Sequence, residues 1–325
     1  MNRKRARSNG MLLLTALIWG VAFVAQSVGL DYVGPFTFNG SRFIMGGIVL
    51  IPCMFYLHFV SGRKEEGEQG IGEKITKQRA AEKAVQCRRE SRITGIIGGI
   101  CCGICLCVAS TLQQMGIAYT TAGKAGFITT LYIVIIPIMG LMIGKRADGK
   151  VWVSVLIAVI GLYLLSVKEG FSVGYGEFLI FLCAIAFSVH ILVIDYFSPK
   201  ADGVFISCVQ FFTAGLISWI FAFIFETPEI GKIAEAWVPV LYAGIMSCGV
   251  AYTLQVVAQR DTDPTVASLI LSLEAVFSAL AGWAILHQMM SRREMTGCLF
   301  VFCAVILAQL PDRKEKIKIR KEARA

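Results

Sequence analysis

Charge is what this sequence has least of: 16% of its residues are Asp, Glu, Lys or Arg, against 56% hydrophobic ones and a mean hydropathy of +0.68. That balance excludes an ordinary soluble enzyme, in which about a quarter of the residues are charged. Proline is scarce too, with eight in the chain. Six of them (Pro35, Pro199, Pro228, Pro239, Pro264, Pro311) fall at or near the ends of apolar stretches, as residues without an amide donor must. Pro52 and Pro137 are interior, and each is expected to bend or break its helix. No Gly-rich phosphate loop ending in Lys-Ser or Lys-Thr is present, so this chain encodes no ATP motor. Gly170-Phe171-Ser172-Val173-Gly174 has nucleophile-elbow spacing but lies between two apolar stretches rather than between a strand and a helix, which argues against a serine hydrolase. Asn39-Gly40-Ser41 has the spacing of a glycosylation acceptor, inside an apolar stretch where no modifying enzyme reaches.

Cysteine, by contrast, is plentiful, and all eleven except Cys87 lie within apolar segments, where they act as small hydrophobes with free thiols. The cluster Cys101, Cys102, Cys105 and Cys107 lacks the histidines or paired C-x-x-C turns of a zinc site. Neither a metal nor a cofactor is expected.

A hydrocarbon core of about 30 Å takes roughly 20 apolar residues per helix. Stretches of that kind recur near 11–30, 36–57, 93–115, 121–143, 151–167, 178–197, 203–225, 237–258, 264–286 and 295–310. The first follows a basic arm and could pass for a signal peptide with Ala25-x-Ser27 as its cleavage site, but it is too long for that and has a partner later in the chain. Shifting the sequence by 168 pairs Leu14 with Leu182, Ala16 with Ala184, Val21 with Val189, Phe43 with Phe211, Gly47 with Gly215 and Phe55 with Phe223, without a gap. Beyond that, a shift of 142 pairs Thr111 with Thr253, Gln113 with Gln255, Ala125 with Ala267, Leu131 with Leu273 and Gly140 with Gly282. The difference of 26 residues is an insertion in the first copy, within the charged stretch 61–92. That stretch, with nine basic and six acidic residues, reads either as a surface helix on anionic lipid or as a mobile solvated loop.

Five spans per copy force the second copy to enter the membrane from the opposite side, the inverted arrangement common in secondary transporters. The expected fold is therefore an all-α membrane protein of ten transmembrane helices in two inverted five-helix repeats. With the N-terminus in the cytoplasm, 25 of the 31 basic residues fall on the cytoplasmic side and five (Lys124, Lys168, Lys232, Arg292, Arg293) on the other. The expected organisation is a cytoplasmic arm (1–10), a first repeat (11–167) carrying the 61–92 insertion, a second repeat (175–310) and a basic cytoplasmic tail (311–325), in the cytoplasmic membrane. Partners are a small-molecule substrate, the lipid bilayer and, on one reading, protons; the net charge of +9 suits anionic lipid rather than nucleic acid.

Four segments carry a family likeness: Trp19-Gly20, Arg42-Phe43, the run TTAGKAGFITTLYIVIIP from Thr120 to Pro137, and SLILSLEAVFSALAGWAIL from Ser268 to Leu286. On these the chain resembles the drug/metabolite transporter superfamily, specifically its EamA-type ten-helix transporters, over nearly its whole length. It departs from the family pattern at Ala275, Lys145-Arg146 and His287-Gln288, where a proline and closing acidic residues are common. The resemblance implies export or uptake of a small metabolite, amino acid or drug-like solute.

Arg42 is a fixed positive charge within the second span, and its planar fork suits a carboxylate or phosphate; the other reading is a side chain snorkelling to headgroups or capping a helix. Its repeat mate is Gln210. Glu274 lies near the midplane of the ninth span, either as a proton carrier or as a hydrogen-bonded lock between helices, and its mate is Tyr132. The two are expected to meet across the pseudo-two-fold axis, where such transporters bind substrate. Lys124 either snorkels or draws anions to the outer mouth, and His190 either shuttles protons or packs between helices. Gln26, Asn39, Gln113, Gln114, Thr129, Thr130, Ser272 and Gln255 are candidate lining groups, with Trp19, Phe43, Phe127 and Trp283 as aromatic walls. Gly95, Gly99 and Gly103 make a small-residue ridge for close contact with another helix. The function expected is secondary transport by alternating access. A polytopic membrane enzyme lacks a catalytic constellation, and a membrane scaffold is the remaining alternative.

Overall fold

A computed structural model describes residues 3–66, 74–120, 122–142, 144, 148–166, 174–286 and 291–310, with side chains described outside 3, 56–89, 122–124, 166, 282 and 284–286. Outside the described residues lie the basic tail, Lys145-Arg146, His287-Gln288 and most of the Gly170–Gly174 motif. Among the described residues every regular element is helical.

The first half contains α1 (Arg3–Gly29), α2 (Pro35–Glu66), α3 (Lys74–Ile117), the pair α4 (Ala122–Thr129) and α5 (Tyr132–Met142), and α6 (Gly149–Ser166). The second contains α7 (Tyr175–Phe197) and α8 (Gly203–Phe225), then short α9 (Ile230–Glu235) and α10 (Trp237–Leu241). A π-helix (Tyr242–Tyr252) continues into α11 (Thr253–Gln259), and the pair α12 (Pro264–Leu271) and α13 (Leu273–Leu286) precedes α14 (Arg292–Gln309). Among the described residues eight helical stretches are long and apolar enough to cross a membrane, and Gly149–Leu165 is a shorter apolar helix.

Local chemistry sets the helix starts. The Asp202 carboxylate accepts from Phe205 N at 2.8 Å to open α8, and Asp263 accepts from Thr265 N at 2.9 Å with Pro264 at the first position of α12. Ser291 and Glu294 form a reciprocal capping box on α14. The start of α2 is capped from the other half of the chain: Glu226, just past α8, accepts from Phe36 N and Thr37 N, each at 2.8 Å, and from the Thr37 hydroxyl at 2.6 Å.

Repeat mates meet in the core. α2 packs along α8 and α6 along α14, which are equivalent pairs in the two copies. Phe43 stacks on its mate Phe211 with ring centroids 6.3 Å apart and planes at 11°. Gly47 lies against Phe212 while its mate Gly215 lies against Ile44, so the contact repeats itself through a two-fold relation. The Gly95, Gly99 and Gly103 ridge of α3 receives Phe205, Val209 and Thr213 of α8, and a Cβ on Gly103 would fall 2.6 Å from that of Thr213.

The structure narrows two sequence expectations. Of the alternatives bend or break, neither interior proline breaks its helix: Pro52 lies inside α2 and Pro137 inside α5. The interruptions come at Thr130-Leu131 and at Ser272, and Thr130 and Ser272 are repeat mates. The Thr130 hydroxyl donates to Phe127 O at 2.9 Å and the Ser272 hydroxyl to Leu269 O at 2.7 Å, equivalent bonds that occupy the carbonyls the broken helices leave. The 61–92 insertion, where described, is neither a helix separate from the spans nor a loop. It consists of the continuing ends of α2 and α3, and the 44 residues of α3 run about 66 Å at 1.5 Å per residue, well beyond the hydrocarbon thickness.

Candidate functional site

The helices line a small, partly open cavity of about 30 Å³ between the two halves. Its walls come from equivalent positions of the two copies: Trp19, Ala22 and Phe23 on α1 correspond under the 168 shift to Phe187, His190 and Ile191 on α7. Under the 142 shift Gln113 corresponds to Gln255 and Tyr132 to Glu274, and all four line it. The cavity therefore sits on the pseudo-two-fold axis.

At its centre the Tyr132 hydroxyl donates to Glu274 Oε1 at 3.0 Å, and the two residues are 3% and 4% exposed. Each follows the break in its own span by one or two residues, so both stand in the first turn of a second half-helix. The positive end of the α13 dipole acts on the Glu274 carboxyl at that position.

Arg42, 2% exposed, also lines the cavity, with its guanidinium carbon 4.8 Å from the Phe43 ring centroid and 5.6 Å from that of Phe38. Those aromatic faces offset part of the cost of a buried cation. Among the described residues it has no ion-pair partner, and its Nε has no acceptor. It points to the interior and not to headgroups.

His190 Nε2 lies 3.2 Å from Gln210 Oε1, the mate of Arg42. An amide oxygen only accepts, so Nε2 is the donor in this contact, and Nδ1 has no partner. Gln210 stands behind His190 rather than on the cavity wall. The backbone of Lys124 lies in the first turn of α4, and its side chain lies outside those described. Trp19 lines the cavity with its Nε1 unpartnered. Gln26, Gln113, Thr129 and Gln255 are lining groups, whereas Asn39, Gln114, Thr130 and Ser272 lie off the wall, as do Phe43, Phe127 and the half-exposed Trp283.

The sequence reading missed Tyr252. It lines the cavity at the last position of the π-helix, with its ring 4.5 Å from Trp19, 6.1 Å from His190 and 6.0 Å from Phe211. Ser247 lines the cavity from the same element. A π-turn is wider than an α-turn and is frequent at functional sites, but it leaves no trace in a 3.6-residue hydrophobic pattern. The cavity thus combines a guanidinium, a carboxyl held by a phenol, an aromatic cluster, and unpartnered polar atoms on Trp19, Gln26, Arg42, His190 and Gln255. That set can hold a small polar solute and can exchange a proton.

The model of the EamA-like transporter family matches the chain twice, over residues 7–167 and 174–310. An uncharacterized transporter of Archaeoglobus fulgidus is 31% identical over 308 residues, covering 94% of this chain and 87% of the relative. The uncharacterized transporter YoaV of Bacillus subtilis is 19% identical, covering 94% and 98%. A solved crystal structure superposes with a TM-score of 0.69 at 16% identity over 95% of this chain and 98% of that one, a likeness of fold. With the family matching both halves of an all-helical chain rich in membrane-length helices, this protein belongs to the EamA-like transporter family and is a multi-pass membrane transporter of a small molecule.

Proposed function

We propose that the protein carries a small solute across the cytoplasmic membrane by alternating access of two inverted five-helix halves, residues 11–167 and 175–310. Both termini and the 61–92 insertion lie on the cytoplasmic side in this reading, which the excess of basic residues there supports. The solute occupies the cavity on the pseudo-two-fold axis, with Arg42 binding its carboxylate or phosphate and the aromatic cluster of Trp19 and Tyr252 enclosing its apolar part. Glu274 loads and releases the coupling proton, and Tyr132 holds it. His190 and Gln210 fix the opposite wall, and Lys124 gathers anions at the outer mouth.

The observation that carries this reading is the 3.0 Å hydrogen bond between Tyr132 and Glu274, repeat mates buried in the cavity that Arg42 also lines. A carboxyl at that place is reached from whichever side the cavity opens to, and only an ionisable group there gains and loses a proton in each cycle. The test is uptake into proteoliposomes of a solute found by screening anionic and amphoteric metabolites with and without a pH gradient. Glu274→Gln should abolish accumulation driven by the gradient and spare exchange of solute for solute. Accumulation by the Gln variant under a pH gradient alone would contradict the role given to Glu274.

A further inference from the structure

Each end of the cavity is tied by a glutamine. Towards one end Gln114 of α3 donates its side-chain amide to the main-chain carbonyl of Gln26 in α1 at 3.0 Å. Towards the other, Gln259, the last residue of α11, donates its amide to the main-chain carbonyl of Ile191 in α7 at 3.2 Å. α1 and α7 are equivalent in the two copies, as are the C-terminal part of α3 and α11, so one tie is the inverted counterpart of the other to within about a turn. Both acceptor residues line the cavity. Gln114 and Gln259 are 0% and 1% exposed, and the Oε1 of each is without a partner.

Beyond Gln259 lies a second, open hollow of about 540 Å³, lined by Gln259 itself with Asp195, Arg260, Asp261 and Thr262. Gln255 faces the cavity and Gln259 the hollow, four residues apart on one helix, which is about 6 Å. One turn of α11, tied to α7 by the Gln259–Ile191 bond, lies between the cavity wall and the open hollow.

We infer that Gln114 and Gln259 are the two gates of the transporter, each holding the cavity shut towards its own face by one neutral amide–carbonyl bond. Neutral partners suit the task. A hydrogen bond of this kind is weak on balance and can be made and broken in every cycle, whereas a buried ion pair would strand an uncompensated charge each time it opened. The inference rests on the alternating-access reading above, but its test needs no solute.

The reporter is Ser247→Cys, on the cavity wall, in the full chain in sealed membrane vesicles of both orientations. A membrane-impermeant methanethiosulfonate sulfonate is added, and modification at residue 247 is read by peptide mass spectrometry, so that the native cysteines stay in place. Gln259→Ala should raise the labelling rate about two- to tenfold from the face that carries the α7–α8 turn, the ratio one neutral hydrogen bond controls, and not from the opposite face. Gln114→Ala should do the reverse. Gln259→Met and Gln114→Met, which keep the length and remove the amide, serve if an alanine variant does not fold. Unchanged rates, or equal acceleration from both faces, would overturn the assignment. Sided acceleration together with an absence of solute flux would leave the gates standing and contradict the transport reading alone.

Discussion

Arg42 and Glu274 bring a guanidinium and a carboxyl to the cavity, and the side chains around them decide what each does. Arg42 has aromatic rings and no counter-ion, which leaves its fork for a solute anion. Arg42→Ala should therefore lower transport about 10- to 100-fold, the effect of one charge-assisted contact, while Lys124→Ala lowers it far less. Initial flux at limiting solute measures the difference, and parental rates in a folded Arg42→Ala variant would make the arginine structural. Tyr132→Phe removes the hydroxyl that donates to Glu274 and should cost about 1 kcal/mol in thermal unfolding. It should also shift the pH profile of flux, which a merely structural tyrosine would not move. The pairing of Tyr132 with Glu274 was readable from the 142 shift because side-chain identity at equal depth survives in the sequence. Tyr252 was not, because its position on the wall depends on a π-helix that hydrophobic periodicity does not record.

Among the helices, tight contacts and broken spans divide the work. The glycine ridge of α3 admits α8 at a distance no larger residue permits, so Gly103→Leu should destabilise the protein by about 1–3 kcal/mol, whereas Gly126→Ala, with open space around it, should not. Detergent-solubilised thermal unfolding separates the two. Loss of the Glu226 cap by Glu226→Ala should cost about 0.5–2 kcal/mol and loosen the start of α2, read as faster amide exchange over Phe36 and Thr37. The ridge was legible as repeated small residues at four-residue spacing. The cap was not, since its carboxylate comes from residue 226 and local sequence gives no hint of an acceptor so distant. Interior prolines do not mark the breaks: the helix runs on through Pro137, while paired hydroxyls at Thr130 and Ser272 satisfy the carbonyls where the spans are interrupted.

At the scale of the whole molecule, two copies of one five-helix pattern face each other and build one cavity from equivalent positions. The excess of basic residues in 1–10, 61–92 and 311–325 supports the proposed cytoplasmic termini, so thiol labels placed in 226–236 should react from outside while labels in 61–92 react from inside; the reverse would invert the protein. The insertion's extension of α2 and α3 was hidden because its charged residues suit a helix and a solvated loop equally well. The central claim is that the cavity on the pseudo-two-fold axis is the solute site of a transporter. Counterflow in proteoliposomes, comparing the parent chain with Arg42→Ala across a set of anionic and amphoteric metabolites, tests it most directly. The account predicts saturable counterflow of at least one solute by the parent and its loss in the variant. Counterflow that persists unchanged in a folded Arg42→Ala protein, or parent vesicles no better than protein-free ones for every solute, would contradict it.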